Sequence, residues 1–154
     1  MFHKGIVSAI LIFQFFSMGK TYSEQQEGLK VWVEGVRAVP GEVGIAVFNT
    51  KKGFPIHIEH AYATEWIPLK EDQKSVMATF NSLPPGEYAI SVLHDENGNR
   101  KMDRTTTGFP KEGVGFSNDQ RVTLKAPGYQ ESKFYLSPGE KKRIKIQLDY
   151  SHRP

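Results

Sequence analysis

The sequence predicts an all-β protein: an antiparallel Ig-like or prealbumin-like sandwich of about seven strands, following a cleaved signal peptide. Three observations predict it. Apolar residues recur at every second position in several short runs. Turn signals rich in Pro, Gly and Asn separate those runs. No long helical period occurs after the first two dozen residues.

The amino-terminal segment comes first. Met1 to Lys4 is a short basic start, and GIVSAILIFQFF, from Gly5 to Phe16, is almost wholly apolar. Small residues at Ser17, Gly19, Thr21 and Ser23 then suit a signal peptidase. The apolar run is shorter than the roughly 20 residues a bilayer-spanning helix needs, so cleavage is expected rather than anchoring. The expected organisation is a signal peptide over residues 1–23, a polar leader over 24–28, the sandwich domain over 29–150 and a tail over 151–154. The mature chain is expected to be exported, periplasmic or extracellular, with no membrane span left. Cysteine is absent, which excludes both a lipid-modified cysteine after the signal and any disulfide. A domain of about 130 residues can bury a self-sufficient core without such a staple.

The strands follow in order. Leu29, Val31 and Val33 alternate with Lys30, Trp32 and Glu34. Pro40-Gly41 marks a turn before Val43, Ile45 and Val47. One or two helical turns are expected between Ile56 and Ala63, after the break at Gly53-Phe54-Pro55. Trp66-Ile67 belongs to another strand, and Val76, Ala78 and Phe80 to the next. After Pro84-Pro85-Gly86, Tyr88, Ile90 and Val92 give the clearest alternation, expected at the centre of the sandwich. From Asp95 to about Pro127 the chain reads as one long irregular segment, a length often functional or held by a ligand. Phe134 and Leu136, the turn Ser137-Pro138-Gly139, and Ile144, Ile146, Leu148 and Tyr150 complete the pattern.

Charge excludes one partner class. The chain has 20 Lys and Arg against 17 Asp and Glu. Loss of Lys4 and Lys20 with the signal leaves a net charge near +1. No basic stripe with interleaved aromatics is present, so nucleic acid is not an expected partner. The cluster KKRIKI, from Lys141 to Ile146, reads as the wet face of a strand.

The stretch HDENGNRKMD, from His94 to Asp103, carries the densest polar chemistry. A calcium loop of the EF-hand type places oxygen ligands at its positions 1, 3 and 5, a backbone carbonyl at 7 and often a ligand at 9. Those positions are Asp95, Asn97, Asn99, Lys101 and Asp103. Arg100 stands where such a loop has Gly, and Thr106 where it has a bidentate Glu. With only two charged side chains, any calcium site is expected to be weak. The plainer alternative is an Asn-Gly turn with Asx capping.

Other constellations are weaker. GFPKEGVGFSND, from Gly108 to Asp119, has too many glycines for a regular strand and is expected to be a packed loop. Its Phe109 and Phe116 would plug the end of the sandwich, and Glu112 and Asp119 could add to an ion site. His57-Ile58-Glu59-His60 lacks the His-Glu-x-x-His spacing of a zinc protease and reads as surface histidines. No Gly-x-Ser-x-Gly elbow occurs. Ser117 with His94 and Asp95 or Asp119 could be drawn as a triad, but strand alternation points Asp95 away from His94.

VFNTKKGFP (Val47 to Pro55), LPPGEYAISVLHDENGNRKMD (Leu83 to Asp103) and GFPKEGVGFSN (Gly108 to Asn118) together resemble the bacterial family catalogued as domain of unknown function 2141. The three blocks occur in the family's order, and the resemblance runs from about Leu29 to Tyr150. It implies a small exported protein and assigns no reaction. The family's loop usually has Gly where this chain has Arg100 and Leu where it has Met102. Leu-Pro-Pro-Gly-Glu-Tyr before an alternating strand is also similar to transthyretin-like and collagen-adhesin B-type sandwiches. In some relatives of those, an Asp-x-Asn-x-Asn loop binds calcium.

The function these features predict is non-enzymatic: an accessory or binding module of the envelope, with calcium as its one candidate cofactor. Its partner would be an envelope protein or a glycan. One alternative is a small envelope hydrolase or metal-dependent enzyme using His94, Asp95, Asp103 and His57. The other is a carbohydrate-binding module stacking sugars on Trp32, Trp66 or Tyr62.

Overall fold

The computed structural model describes residues 28–123 and 125–151. The expected signal peptide, nearly all of the polar leader and most of the tail lie outside these residues.

Eight strands build two sheets among the described residues. β1 (Gly28–Glu34) lies between β4 (Ser75–Asn81) and β8 (Lys141–Gln147) in the smaller sheet. The larger sheet runs β3 (Ala63–Pro68), β2 (Glu42–Phe48), β5 (Gly86–Asp95) and β6 (Gly113–Phe116). β7 (Phe134–Leu136) joins it by pairing with the first residues of β5. A single helical turn, α1 (Tyr129–Ser132), precedes β7.

Alternation does the sorting. Leu29, Val31 and Val33 of β1 are fully buried, whereas Lys30 and Trp32 between them are exposed. Val43, Ile45 and Val47 of β2 and Tyr88, Ile90 and Val92 of β5 join them in one core, with Val76, Ala78 and Phe80 of β4 and Ile146 of β8. That core fills the space between the two sheets, as in other face-to-face sandwiches. β5 is the central strand expected from its pattern, with β2 on one side and β6 and β7 on the other.

The short helical stretch expected between Ile56 and Ala63 is present as one 3-10 turn, Ile58–His60. Three details depart from the sequence reading. β1 and β8 pair in parallel, Gly28 opposite Lys141, so the sandwich is not wholly antiparallel. β8 ends at Gln147, and the chain beyond it makes only an isolated bridge from Asp149 to Val114, so Tyr150 is not a strand residue. The glycine-rich stretch contains a true strand, β6, in the segment expected to be irregular.

The glycines of β6 explain that last departure. Gly113 and Gly115 face the core, where β8 and its extension cross close to the backbone. A Cβ on Gly115 would lie 2.6 Å from Ile146 Cγ2, and one on Gly113 would lie 2.3 Å from the Tyr150 ring. Only glycine lets the strand sit there. Val114 and Phe116 alternate with them and point to the opposite face, opposite Leu93 and Ser91 of β5.

Candidate functional site

β2 and β5 are buried on both faces. One face belongs to the core. The other carries Gly44, Ala46 and Phe48 on β2, and Ala89, Ser91 and Leu93 on β5, in register across the pair. A second apolar cluster covers half of this outer face: Ala46, Phe48, Ala89 and Tyr129, with Phe54, Ile58 and Ala61 packed against them. Phe54 is its hub. Its ring meets Phe48, Tyr129 and Phe116 edge-on at centroid distances of 5.3, 5.9 and 6.5 Å, a favoured aromatic geometry. Ser91 donates to the Pro55 carbonyl at 2.9 Å and pins this segment to the sheet.

The other half of the outer face lies at the bottom of a cleft of about 600 Å³. Gly44, Ala46 and Leu93 supply sheet positions, and Trp66, Met102, Phe109 and Phe116 supply large apolar side chains. Gly44 is what admits Trp66: a Cβ there would fall 2.4 Å from the indole ring of its cross-strand neighbour. Phe109 and Phe116 were expected to plug the end of the sandwich. They line this lateral cleft instead, because alternation on β6 turns Phe116 away from the core and the loop carries Phe109 over the sheet. Basic side chains mark the cleft as well: Arg100, Lys101, Arg104 and Lys125.

The loop that bears Arg100 to Arg104 is fixed at its root by Asp95. This residue is fully buried. Its Oδ1 accepts from the backbone N–H of Gly98 (2.8 Å) and Asn99 (3.3 Å), and its Oδ2 from that of Arg100 (2.6 Å). Asn97 and Asn99 each turn their amide oxygen to the N–H two residues on, at 3.1 and 2.7 Å. Their amide nitrogens both meet Asp103 Oδ2, at 2.6 and 3.3 Å. Glu112 clamps the far side, accepting from the Glu96 N–H (3.2 Å) and the Asp103 N–H (3.0 Å). Burial pushes the Glu112 carboxyl above its usual range, and the nearby Asp95 and Asp103 charges push the same way against those two hydrogen bonds.

Arg100, standing where a calcium loop has Gly, adopts the left-handed turn with φ of 56°. Its guanidinium compensates by two bonds to Glu42, at 2.7 and 3.3 Å, and by lying 5.3 Å from the centre of the Trp66 ring. The loop therefore turns at Arg100 as a glycine would turn it.

The candidate calcium ligands are thus brought together. Asp95, Asn97, Asn99 and Asp103 share one hydrogen-bonded loop, and Lys101 is held in it through its backbone N–H. Asp119 is exposed after a left-handed turn at Asn118. Among the described residues, no three His, Cys, Asp or Glu side chains are grouped to hold a metal ion. A cation in this loop would have to use the asparagine amides. In the arrangement found, both amides turn their nitrogens to Asp103 and their oxygens to the backbone N–H groups of Asn99 and Lys101.

The catalytic candidates are not brought together. His94 is fully buried on the core face, where its Nδ1 shares a 2.7 Å hydrogen bond with the Tyr150 hydroxyl. Arg37 covers the other side of that tyrosine, 4.2 Å from its ring centre. Ser117 is buried too; its Oγ accepts from the Ile90 N–H (2.9 Å) and donates to the Ser132 carbonyl (2.6 Å). Ile90 and His94 are four residues apart on one strand, roughly 13 Å, so Ser117 and His94 form no dyad. His57 and His60 are exposed, and of the residues named for catalysis only His57 lines the cleft. The sugar-stacking candidates are also dispersed. Trp32 is exposed on the smaller sheet, whereas Tyr62 and Trp66 lie at and on β3 of the larger one.

Sequence reading missed the cleft. One signal for it was present: EVGIAVF and YAISVL hold few polar residues between their core positions, so both faces of these strands needed cover.

A family model described as an uncharacterized protein conserved in bacteria (DUF2141) matches residues 31–145. No curated protein and no solved structure matches the chain.

Proposed function

Because the chain belongs to the uncharacterized bacterial family DUF2141, which brings no reaction with it, we propose from its own geometry that it is an exported, non-enzymatic binding module. The observation that carries this reading is the cleft on the outer face of the larger sheet. Its volume falls within the roughly 300–1,000 Å³ typical of small-ligand sites, and its lining is mostly apolar with a few polar groups. A non-enzymatic role is supported by the separation of His94, Ser117 and His57. Export is supported by the basic, apolar and small-residue order of the first 23 residues.

The test is occupancy. Nile red, a neutral apolar dye, should bind the mature protein with about one site and a blue-shifted emission. Leu93→Trp, which fills the cleft, should abolish binding while leaving the circular dichroism spectrum unchanged. A protein that ignores the dye, or a filled variant that binds it equally, would remove the reading.

A second proposal concerns the Asp95–Asp103 loop. The spacing of Asp95, Asn97, Asn99 and Asp103 on one loop, turned at Arg100 where a calcium loop has Gly, supports a weak calcium site in which the ion replaces the asparagine bonds to Asp103. With two charged ligands its dissociation constant would be on the order of 0.1–1 mM. About 5 mM calcium would then stabilise the fold by roughly 1–2 kcal/mol, raising the melting temperature by several degrees. Asp103→Asn should cancel the rise, and magnesium should not reproduce it. Unchanged melting in calcium leaves the loop as a turn closed by its own hydrogen bonds.

A further inference from the structure

We propose that the cleft takes an amphiphile with an anionic head, its apolar body against Trp66, Leu93, Phe109 and Phe116 and its carboxylate or phosphate at Lys101, Arg104 and Lys125. This inference rests on the reading of the cleft as a ligand site and goes further by assigning the ligand's class.

Charge distribution carries it. The chain without its first 23 residues is nearly neutral, yet the cleft is lined by four Lys or Arg residues and one carboxylate, Glu59. That carboxylate is already engaged by His57 Nδ1 at 3.1 Å. Arg100 is paired with Glu42 and forms part of the wall over Trp66. Lys101, Arg104 and Lys125 have no carboxylate partner among the described residues; Arg104 donates only to the Gly108 carbonyl, at 2.6 Å. Three cations therefore border an apolar hollow with no carboxylate paired to them among the described residues. A ligand that fills the hollow and ends in a negative group satisfies both features. A neutral ligand satisfies the first alone, and a cationic one meets repulsion. Exposed charges contribute modestly to affinity, so the apolar body is expected to supply most of the binding and the head to supply the selectivity.

The experiment uses the mature chain carrying Trp32→Phe, which leaves Trp66 as the only tryptophan. Four probes share one twelve-carbon tail: dodecanoate, dodecyl phosphate, dodecanol and dodecyltrimethylammonium, the ionic ones below their micelle concentrations and dodecanol below its solubility limit. Trp66 fluorescence and displacement of Nile red report binding. Dodecanoate and dodecyl phosphate should bind on the order of tenfold more tightly than dodecanol, and dodecyltrimethylammonium most weakly. The two anionic arms show whether a carboxylate or a phosphate suits the site better, and either preference supports the proposal. In Lys101→Glu with Arg104→Glu the anion preference should fall by about tenfold while dodecanol binding stays as it was. Added salt should erode the preference in the parent.

Equal binding of dodecanol and dodecanoate would overturn the anionic class while leaving the cleft as a ligand site. An anion preference that survives the double charge reversal would overturn it too. Failure of all four probes and of Nile red together would bring down the cleft reading itself.

Discussion

Asp95 is fully buried and accepts three backbone N–H groups, so it acts as the internal template of its loop. Its removal takes the acceptor from the Gly98 and Arg100 N–H groups and undoes the turn they close. A hydrogen bond to a charged group contributes about 1.5–3 kcal/mol, so Asp95→Ala should lower unfolding stability by roughly 2–4 kcal/mol in a urea titration. Asp95→Asn retains one acceptor oxygen and should lose less. Equal losses in the two variants would mean that the carboxylate is not the template. Glu112 supplies a pH-dependent counterpart. Burial, first, raises its folded pKa above the ordinary 4.5, and the Asp95 and Asp103 charges add to this. A carboxyl raised in the folded state binds its proton more tightly there than in the unfolded chain. Its contribution to stability therefore falls as pH climbs from about 4.5 through the raised folded value, and returns on acidification. The stability difference between the parent and Glu112→Gln should change across that window and stay level above it, as read from melting temperatures between pH 4.5 and pH 7.5. A difference flat throughout would mean that Glu112 does not titrate abnormally. Residue types exposed the loop's candidates in the sequence but not their arrangement. Glu112 lies nine residues past Asp103, and only folding of the segment between them makes it the clamp on the Asp103 N–H.

At the scale of elements, strands with side chains on both faces were legible and the strand built on glycine was not. β1, β4 and β5 announce themselves because each apolar side chain has a polar or small neighbour to contrast with. β6 carries no such contrast, since its core-facing positions are bare so that Ile146 and Tyr150 can approach. The physical constraint is measurable. Gly115→Val forces a Cβ to within 2.6 Å of Ile146 Cγ2 and 3.1 Å of the Gln147 carbonyl oxygen. It should cost about 1–3 kcal/mol, the usual range for overpacking. Gly86→Ala is the control: its added carbon would meet nothing nearer than 3.9 Å, so the change should stay within about 0.5 kcal/mol. Similar losses at both positions would deny the close crossing. The cleft was illegible for a related reason. It is assembled from β2, β3, β5, β6 and three loops, and no local pattern in any one of them records that the others lie alongside.

For the whole molecule, the export reading makes a direct prediction about the mature chain. Intact-mass analysis of protein from the native envelope fraction should place its first residue between Lys20 and Glu27. A mass that includes Met1 would sink that reading. The sandwich that follows has a particular connectivity. β1, the first strand described, is the middle strand of the smaller sheet, and one of its two partners is β8, the last strand.

That parallel partnership orders events in time. Gly28 and Lys141, paired in the finished sheet, are separated by more than a hundred residues. The length-dependent entropy of closing such a loop is about 4 kcal/mol, and contacts this distant in sequence form late. A chain threaded through a membrane from its amino terminus would have to deliver its final strand before the smaller sheet could close. Until then β1 and β4 remain an incomplete pair, with one edge of β1 open. The smaller sheet is therefore complete only once β8 has reached β1, whatever order the rest of the sandwich follows.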